Sequence, residues 1–177
     1  MNEVLNVIAK RSSTRLYTEE KLTEQELNAI LEAGLQAPTG RNEREIRFSV
    51  VKGGSDIINE VDATMRSLYN IQRGPHYFYY EAPTVIFVSA KTDFVWSKVD
   101  AGIAIENMAI AAESLGLGNL IIGCIYDAMN GEKKDYFNKA LQIPEGYNFE
   151  LALAVGHKAD EKVPHEYNKE EQVKYVD

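Results

Sequence analysis

One cysteine in 177 residues leaves no room for an internal disulfide framework, and Cys124 fits a chain kept in a reducing compartment. No apolar run approaches the roughly 20 residues needed to span a bilayer. The N-terminus does not read as a secretory signal, because Lys10 and Arg11 follow the first short apolar stretch instead of preceding it. A cytoplasmic chain with no membrane partner is expected. Basic excess is missing as well: a net charge of −8 argues against a nucleic-acid partner, which needs a cationic face to neutralise phosphates. His76, His157 and His165 lack metal-ligand spacing, and only one cysteine can join them, so no metal site is expected. There is no G-x-S-x-G, H-E-x-x-H or Walker pattern. With no evident acid, base or nucleophile, any chemistry here needs a cofactor.

What is present reads as one α+β domain over residues 1–177. The hydrophobic fraction of 45% and charged fraction of 26% sit at the globular average. Asn2 caps a helix whose Val4, Leu5, Val7 and Ile8 share a face, with Lys10 and Arg11 at the end where the dipole favours cations. Thr23-Glu24-Gln25-Glu26 is a capping box opening a second helix that runs to Leu35 and stops before Pro38-Thr39-Gly40. Strands are expected at 46–52, with Ile46, Phe48 and Val50 on one face, and at 83–89, apolar enough to be buried on both faces. Ser55 caps a helix carrying Ile58, Val61, Met65 and Leu68.

The longest helix should span about Ser97 to Leu115, its stripe of Ile103, Ala104, Met108, Ala111, Ala112 and Leu115 half alanine. Gly116-Leu117-Gly118 ends it, and 119–124 follows as a strand or extended segment. A short helix at 133–141 and a strand at 149–155 complete the periodic part. Residues 157–177 read as an extended tail whose Val173, Tyr175 and Val176 either wrap a partner subunit or fray in solvent.

Three segments are candidates for chemistry. Residues 4–18 hold Lys10, Arg11 and Arg15 and no acid. Arg11, Ser13 and Arg15 alternate, so an extended chain points all three one way, a set suited to a phosphate monoester. A solvated helix end is the plainer alternative. Pro38-Thr39-Gly40-Arg41-Asn42 can offer polar groups to the edge of a planar ring, or simply connect two elements. Ile121-Ile122-Gly123 can bring bare backbone against a flat ligand, or form an ordinary buried strand. Gly116-Leu117-Gly118 closes a helix and so is no dinucleotide fingerprint. Cys124, in an apolar run, reads as a small core residue instead of a nucleophile.

In order and spacing, these pieces resemble the nitroreductase family of flavoproteins. The resemblance rests on Lys10-Arg11-Ser12-Ser13-Thr14-Arg15-Leu16-Tyr17, Leu31-Glu32-Ala33-Gly34, Ala37-Pro38-Thr39-x-x-Asn42 and Phe48-Ser49-Val50-Val51. It continues through Tyr79-Tyr80-Glu81-Ala82-Pro83, the segments 100–107 and 112–118, and Leu151-Ala152-Leu153-Ala154-Val155-Gly156. It implies a mainly antiparallel sheet flanked by helices, in an obligate homodimer whose C-terminal tail is exchanged onto the partner. It also implies FMN in the dimer interface, reduced by NADH or NADPH in a ping-pong cycle that serves a small acceptor such as a nitro compound or quinone.

By position, the resemblance assigns Arg11, Ser12, Ser13 and Arg15 to the FMN phosphate and pyrimidine side. Pro38, Thr39, Gly40 and Asn42 would come from the other subunit, and Ile121, Ile122, Gly123 and Cys124 would present backbone near N5. No side-chain acid or base is implied for the hydride step. A flavin-binding or storage protein with little turnover is the alternative. Where family members commonly carry Gln-Pro-Trp, this chain has Glu43-Arg44-Glu45, placing two acids at the expected pocket mouth. A C-terminal cation for the phosphate could be Lys158, Lys162, His165 or Lys169.

Overall fold

The computed structural model describes residues 2–72, 74–161, 163 and 165–176. Helix α1 (Glu3–Lys10) is capped by the Asn2 side chain, which accepts from the Leu5 N–H. Helix α2 (Glu24–Leu35) opens with the expected reciprocal box between Thr23 and Glu26. The short 3-10 turn Gly40–Asn42 leads to strand β1 (Arg47–Lys52), then α3 (Asp56–Leu68), β2 (Thr84–Lys91) and α4 (Ser97–Ser114). Strand β3 (Leu117–Ile122), helices α5 (Tyr126–Asn130) and α6 (Lys134–Ala140), strand β4 (Tyr147–His157) and the one-turn helix α7 (Lys169–Gln172) follow.

The four strands form one sheet in the order β1-β2-β4-β3, every pair antiparallel. As the apolar run at 83–89 predicts, β2 is buried on both faces. Val85 and Phe87 join Ile58, Val61, Phe137 and Phe149 in the core beneath α3, α5 and α6. Ile86 and Val88 pack with Ile30, Met108 and Leu153 in the core beneath α2 and α4. The expected α+β architecture, an antiparallel sheet between helical layers, is the one observed.

Three expectations are corrected. The inner face of α4 is Ala101, Ala104, Ile105, Met108, Ala109 and Ala112, whereas Ile103 and Leu115 are exposed. The misread arises because apolar residues lie on both sides of this helix. Gly116 alone turns the chain, at φ +77°, so Leu117 and Gly118 already belong to β3. Ile46, Phe48 and Val50 do share a face as expected, opposite Val88 and Ile86, with Val50 left exposed because β1 is the sheet's edge. The tail carries a helical turn at Lys169–Gln172 where a wholly extended segment was expected.

Two sheet edges differ. The outer side of β3 is covered by the segment after α1: Ser13 bridges Asn119, and the Thr14 N–H donates to the Asn119 carbonyl at 2.8 Å. Further on, the Thr18 N–H donates to the His157 carbonyl and the Ala159 N–H to the Leu16 carbonyl, both at 2.9 Å. The outer side of β1 borders a cavity lined by Phe48–Val51 and Ala140–Gln142.

Candidate functional site

The segment 11–15 is extended, and its side chains alternate as the sequence predicts. Ser12 and Thr14 turn inward and are buried, while Arg11, Ser13 and Arg15 face outward. A contact between backbone and side chain fixes this register: a Cβ on Gly118 would stand 2.6–2.9 Å from the side chain of Thr14. The half-buried Tyr17 phenol donates to the Thr14 carbonyl at 3.1 Å, and loss of water around it holds that phenol protonated well beyond its ordinary range.

The two arginines rest on different partners. Arg11 Nε lies 3.6 Å from a carboxylate oxygen of Glu106 on α4. The Arg15 guanidinium sits over the Tyr80 ring, 5.6 Å from its centroid, and Tyr80 stacks in turn on His76. The loop bearing His76 and Tyr80 is pinned from α3. Asp62 accepts from Arg66 Nε at 2.6 Å and from the Phe78 N–H at 3.0 Å, and Arg66 also donates to the His76 carbonyl at 2.6 Å.

The segment 38–45 lies at the other end of α4. The Gly40 N–H donates to the buried Asp100 carboxylate at 2.8 Å, and Thr39 Oγ1 accepts from the Arg44 N–H at 3.0 Å. Arg41, Asn42 and Arg44 all adopt positive φ, between 51° and 58°. Each L side chain there crowds its own backbone, so the loop holds its shape only because these contacts fix it.

Glu45 overturns an expectation. It does not stand at a pocket mouth but is 3% exposed, set beside the Asp100 carboxylate. Burial, and then the Asp100 carboxylate beside it, push the Glu45 carboxyl above the usual carboxylate range. Glu43 is the acid that faces solvent.

The third segment closes β3. Ile121 is partly buried, Ile122 belongs to the core, and Gly123 and Cys124 are exposed where the chain leaves the sheet for α5. Cys124 is thus no core residue, because β3 ends two positions earlier. Its thiol is still screened enough that burial raises its pKa.

A Cβ on Gly123 would meet only Leu151 Cδ2, at 3.6 Å, an ordinary contact. Nothing among the described residues requires glycine there. Ser13 and Gly123 are related through β3: Ser13 bridges Asn119 on that strand, and four residues further, about 13 Å of extended chain, Gly123 follows its last residue.

Beside Gly123, a cavity of about 410 Å³ is also lined by Lys98, Tyr126, Glu150 and Leu151. These are the residues that reading the sequence missed. The available signal was Glu150, a single acid in the otherwise apolar run 149–155. Of the tail cations, Lys158 donates to Glu113 at 3.1 Å and to Glu161 at 3.4 Å, whereas His165 and Lys169 are exposed. Lys162 lies outside the described residues.

A family model described as the nitroreductase family matches residues 8–157. A Bacillus subtilis protein named FMN reductase (NAD(P)H) is 30% identical over 179 residues, covering 90% of this chain and 68% of that protein. Among solved structures, a nitroreductase with bound FMN from Desulfitobacterium hafniense DCB-2 superposes with a TM-score of 0.89 at 33% identity over 100% of both chains. One from Bacteroides fragilis NCTC 9343, also with bound FMN, gives 0.89 at 27% identity, again over 100% of both chains. Matches of this extent make the chain a member of the nitroreductase family.

Proposed function

We propose that this chain is an NAD(P)H-dependent flavin oxidoreductase that holds FMN between two copies of itself. The observation that carries the reading is the open backbone at Gly123, where a side chain would fit but none stands. A flat ring can lie in that space, and a main-chain N–H of the Gly123-Cys124 turn can face the ring's N5. FMN, when bound, supplies the redox chemistry of a ping-pong cycle, taking hydride from NADH or NADPH and serving a small acceptor such as a nitro compound or quinone.

The chain's own residues bind and orient. Arg11 and Ser13 take the phosphate, with Arg15 on the pyrimidine side, while the side chain expected from Ser12 turns inward and is buried away from it; Ile121 and Ile122 bring the strand up to the ring. Arginine suits this work because its planar donors match paired oxygens. Pro38, Thr39, Gly40 and Asn42 approach from the partner subunit, their loop pre-shaped by Asp100.

A dimer is supported by two apolar surfaces left without cover. Helix α1 buries no residue, and its Val4, Leu5 and Ile8 are exposed alongside Val99 and Ile103 on the outer side of α4. A helix of eight residues is too short to be stable by itself in water, so a partner surface is its natural support. Residues 1–177 form one domain in this reading. The last part of the tail, from residue 170, crosses to the partner, where the exposed Val173, Tyr175 and Val176 find cover. No helix among the described residues is long and apolar enough to cross a membrane. A cytoplasmic site of action agrees with the single thiol.

The test is direct. The purified protein should be a yellow dimer by light scattering and release FMN, identified by mass spectrometry, on denaturation. Anaerobic mixing with NADH or NADPH should bleach the flavin. Flavin that stays oxidised would favour a storage role, and a colourless monomer that takes up no FMN would end the proposal.

A further inference from the structure

The cavity beside Gly123 is built from three separate elements. Lys98 comes from the first turn of α4, Tyr126 from the start of α5, and Glu150 and Leu151 from β4. Glu150 enters it by an irregularity in the sheet. Ser89 pairs with Phe149 and Val88 with Leu151, so Glu150 is an extra residue with no partner on β2. Such a β-bulge re-aims a side chain while the flanking residues keep their faces, and bulges are over-represented next to active sites.

The bulge is secured from α5, where Asn130 Nδ2 donates to the Phe149 carbonyl at 2.9 Å and to the Tyr126 carbonyl at 3.1 Å. Glu150 is 8% exposed, and its carboxyl is pushed up by burial and drawn back by Lys98. The Lys98 ammonium lies 5.2 Å from the Tyr126 ring centroid. Contact with the Tyr126 hydroxyl, then the charge of Glu150, keeps it protonated above its ordinary range.

We propose that this cavity selects acceptors that are small aromatic anions, with Lys98 pairing the substrate's negative oxygen, Tyr126 flanking its ring, and Glu150 setting how freely Lys98 can do so. The inference rests on the flavoprotein reading for one point, that the cavity opens beside the cofactor at Gly123. Its charge logic belongs to the chain alone. Lys98 is an exposed cation, and the acid that acts on it, Glu150, is buried in a setting that opposes its charge, so the ammonium is left under-neutralised. A carboxylate or phenolate oxygen entering over Gly123 meets that ammonium, whereas an uncharged congener meets only the Tyr126 ring and Leu151.

Benzoate and benzamide share a ring and differ in charge, and neither accepts hydride readily, so calorimetric titration of the FMN-loaded protein can read the site without turnover. Benzoate should bind more tightly than benzamide, and Lys98→Met should remove that preference by weakening benzoate about tenfold or more, with benzamide unchanged. Glu150→Gln should strengthen benzoate binding, because the lysine then has no competing carboxylate. Equal affinity for both probes in the wild-type protein, or a preference that survives Lys98→Met, would overturn the proposal. The flavin spectrum of the same samples reports separately on FMN uptake. Should uptake fail, the functional reading falls, while the benzoate preference of the flavin-free chain still decides the role of Lys98.

Discussion

Two loops flank helix α4, and they are held by opposite means. Residues 11–18 are fastened by main-chain bonds to β3 and β4 and by the fit of Thr14 onto Gly118. Residues 38–45 are fastened by carboxylates, with Asp100 gripping the Gly40 N–H and Glu45 buried beside it. The main-chain bonds and the Thr14 contact of the first anchorage involve no titrating group, and the Tyr17 phenol that joins them is kept protonated by burial. The second stores like-charge repulsion and backbone strain, so its shape depends on proton occupancy.

The contrast can be broken from the first side by Gly118→Val. Added carbon would collide with Thr14, which is buried and cannot swing away, so urea denaturation should show a loss of about 3 kcal/mol, the upper end for overpacking. Arg15→Ala leaves the anchorage intact and removes only an outward cation. Flavin titration should show FMN affinity lower by about 1.5–3 kcal/mol with unchanged urea stability. Equal FMN binding in that variant would take Arg15 out of the site.

The second side is sharpened by pH. Because the folded-state pKa of Glu45 is raised, its contribution is fully present below the ordinary carboxylate range and is lost as pH rises through the raised value. Glu45→Gln should therefore match the wild type at acid pH and exceed it in thermal stability at pH 7 to 8. A wild-type advantage at pH 8 would contradict the buried-acid account. The smallest effect belongs to Thr39→Ala, which removes one exposed acceptor from the Arg44 N–H and should cost about 0.5–1.5 kcal/mol by the same assay.

Local features were legible in the sequence because each is decided by neighbours along the chain. The Thr23 box, the two-sided apolar run of β2 and the alternation of residues 11–15 need no knowledge of the fold. The outer side of α4 was not legible, since Ile103 is as apolar as the residues facing inward and periodicity cannot say which side meets the sheet. Glu45 was misplaced because its burial depends on Asp100, far along the chain. Helix α5, only five residues long, has too few positions to show a period. The cavity of Lys98, Tyr126 and Glu150 escaped notice because the bulge that creates it exists only once β2 and β4 are paired.

That unpaired residue in β4 separates two jobs that a strand ordinarily performs together. With Phe149 and Leu151 already opposite Ser89 and Val88, excising position 150 would let the ladder run flush, each neighbour keeping its side of the sheet. Excising Ala152 would instead invert every side chain on one flank of the cut. The chain can therefore exchange or even shed the residue at 150 without renegotiating its interior. This makes that position the natural place for one scaffold to change which molecules it admits.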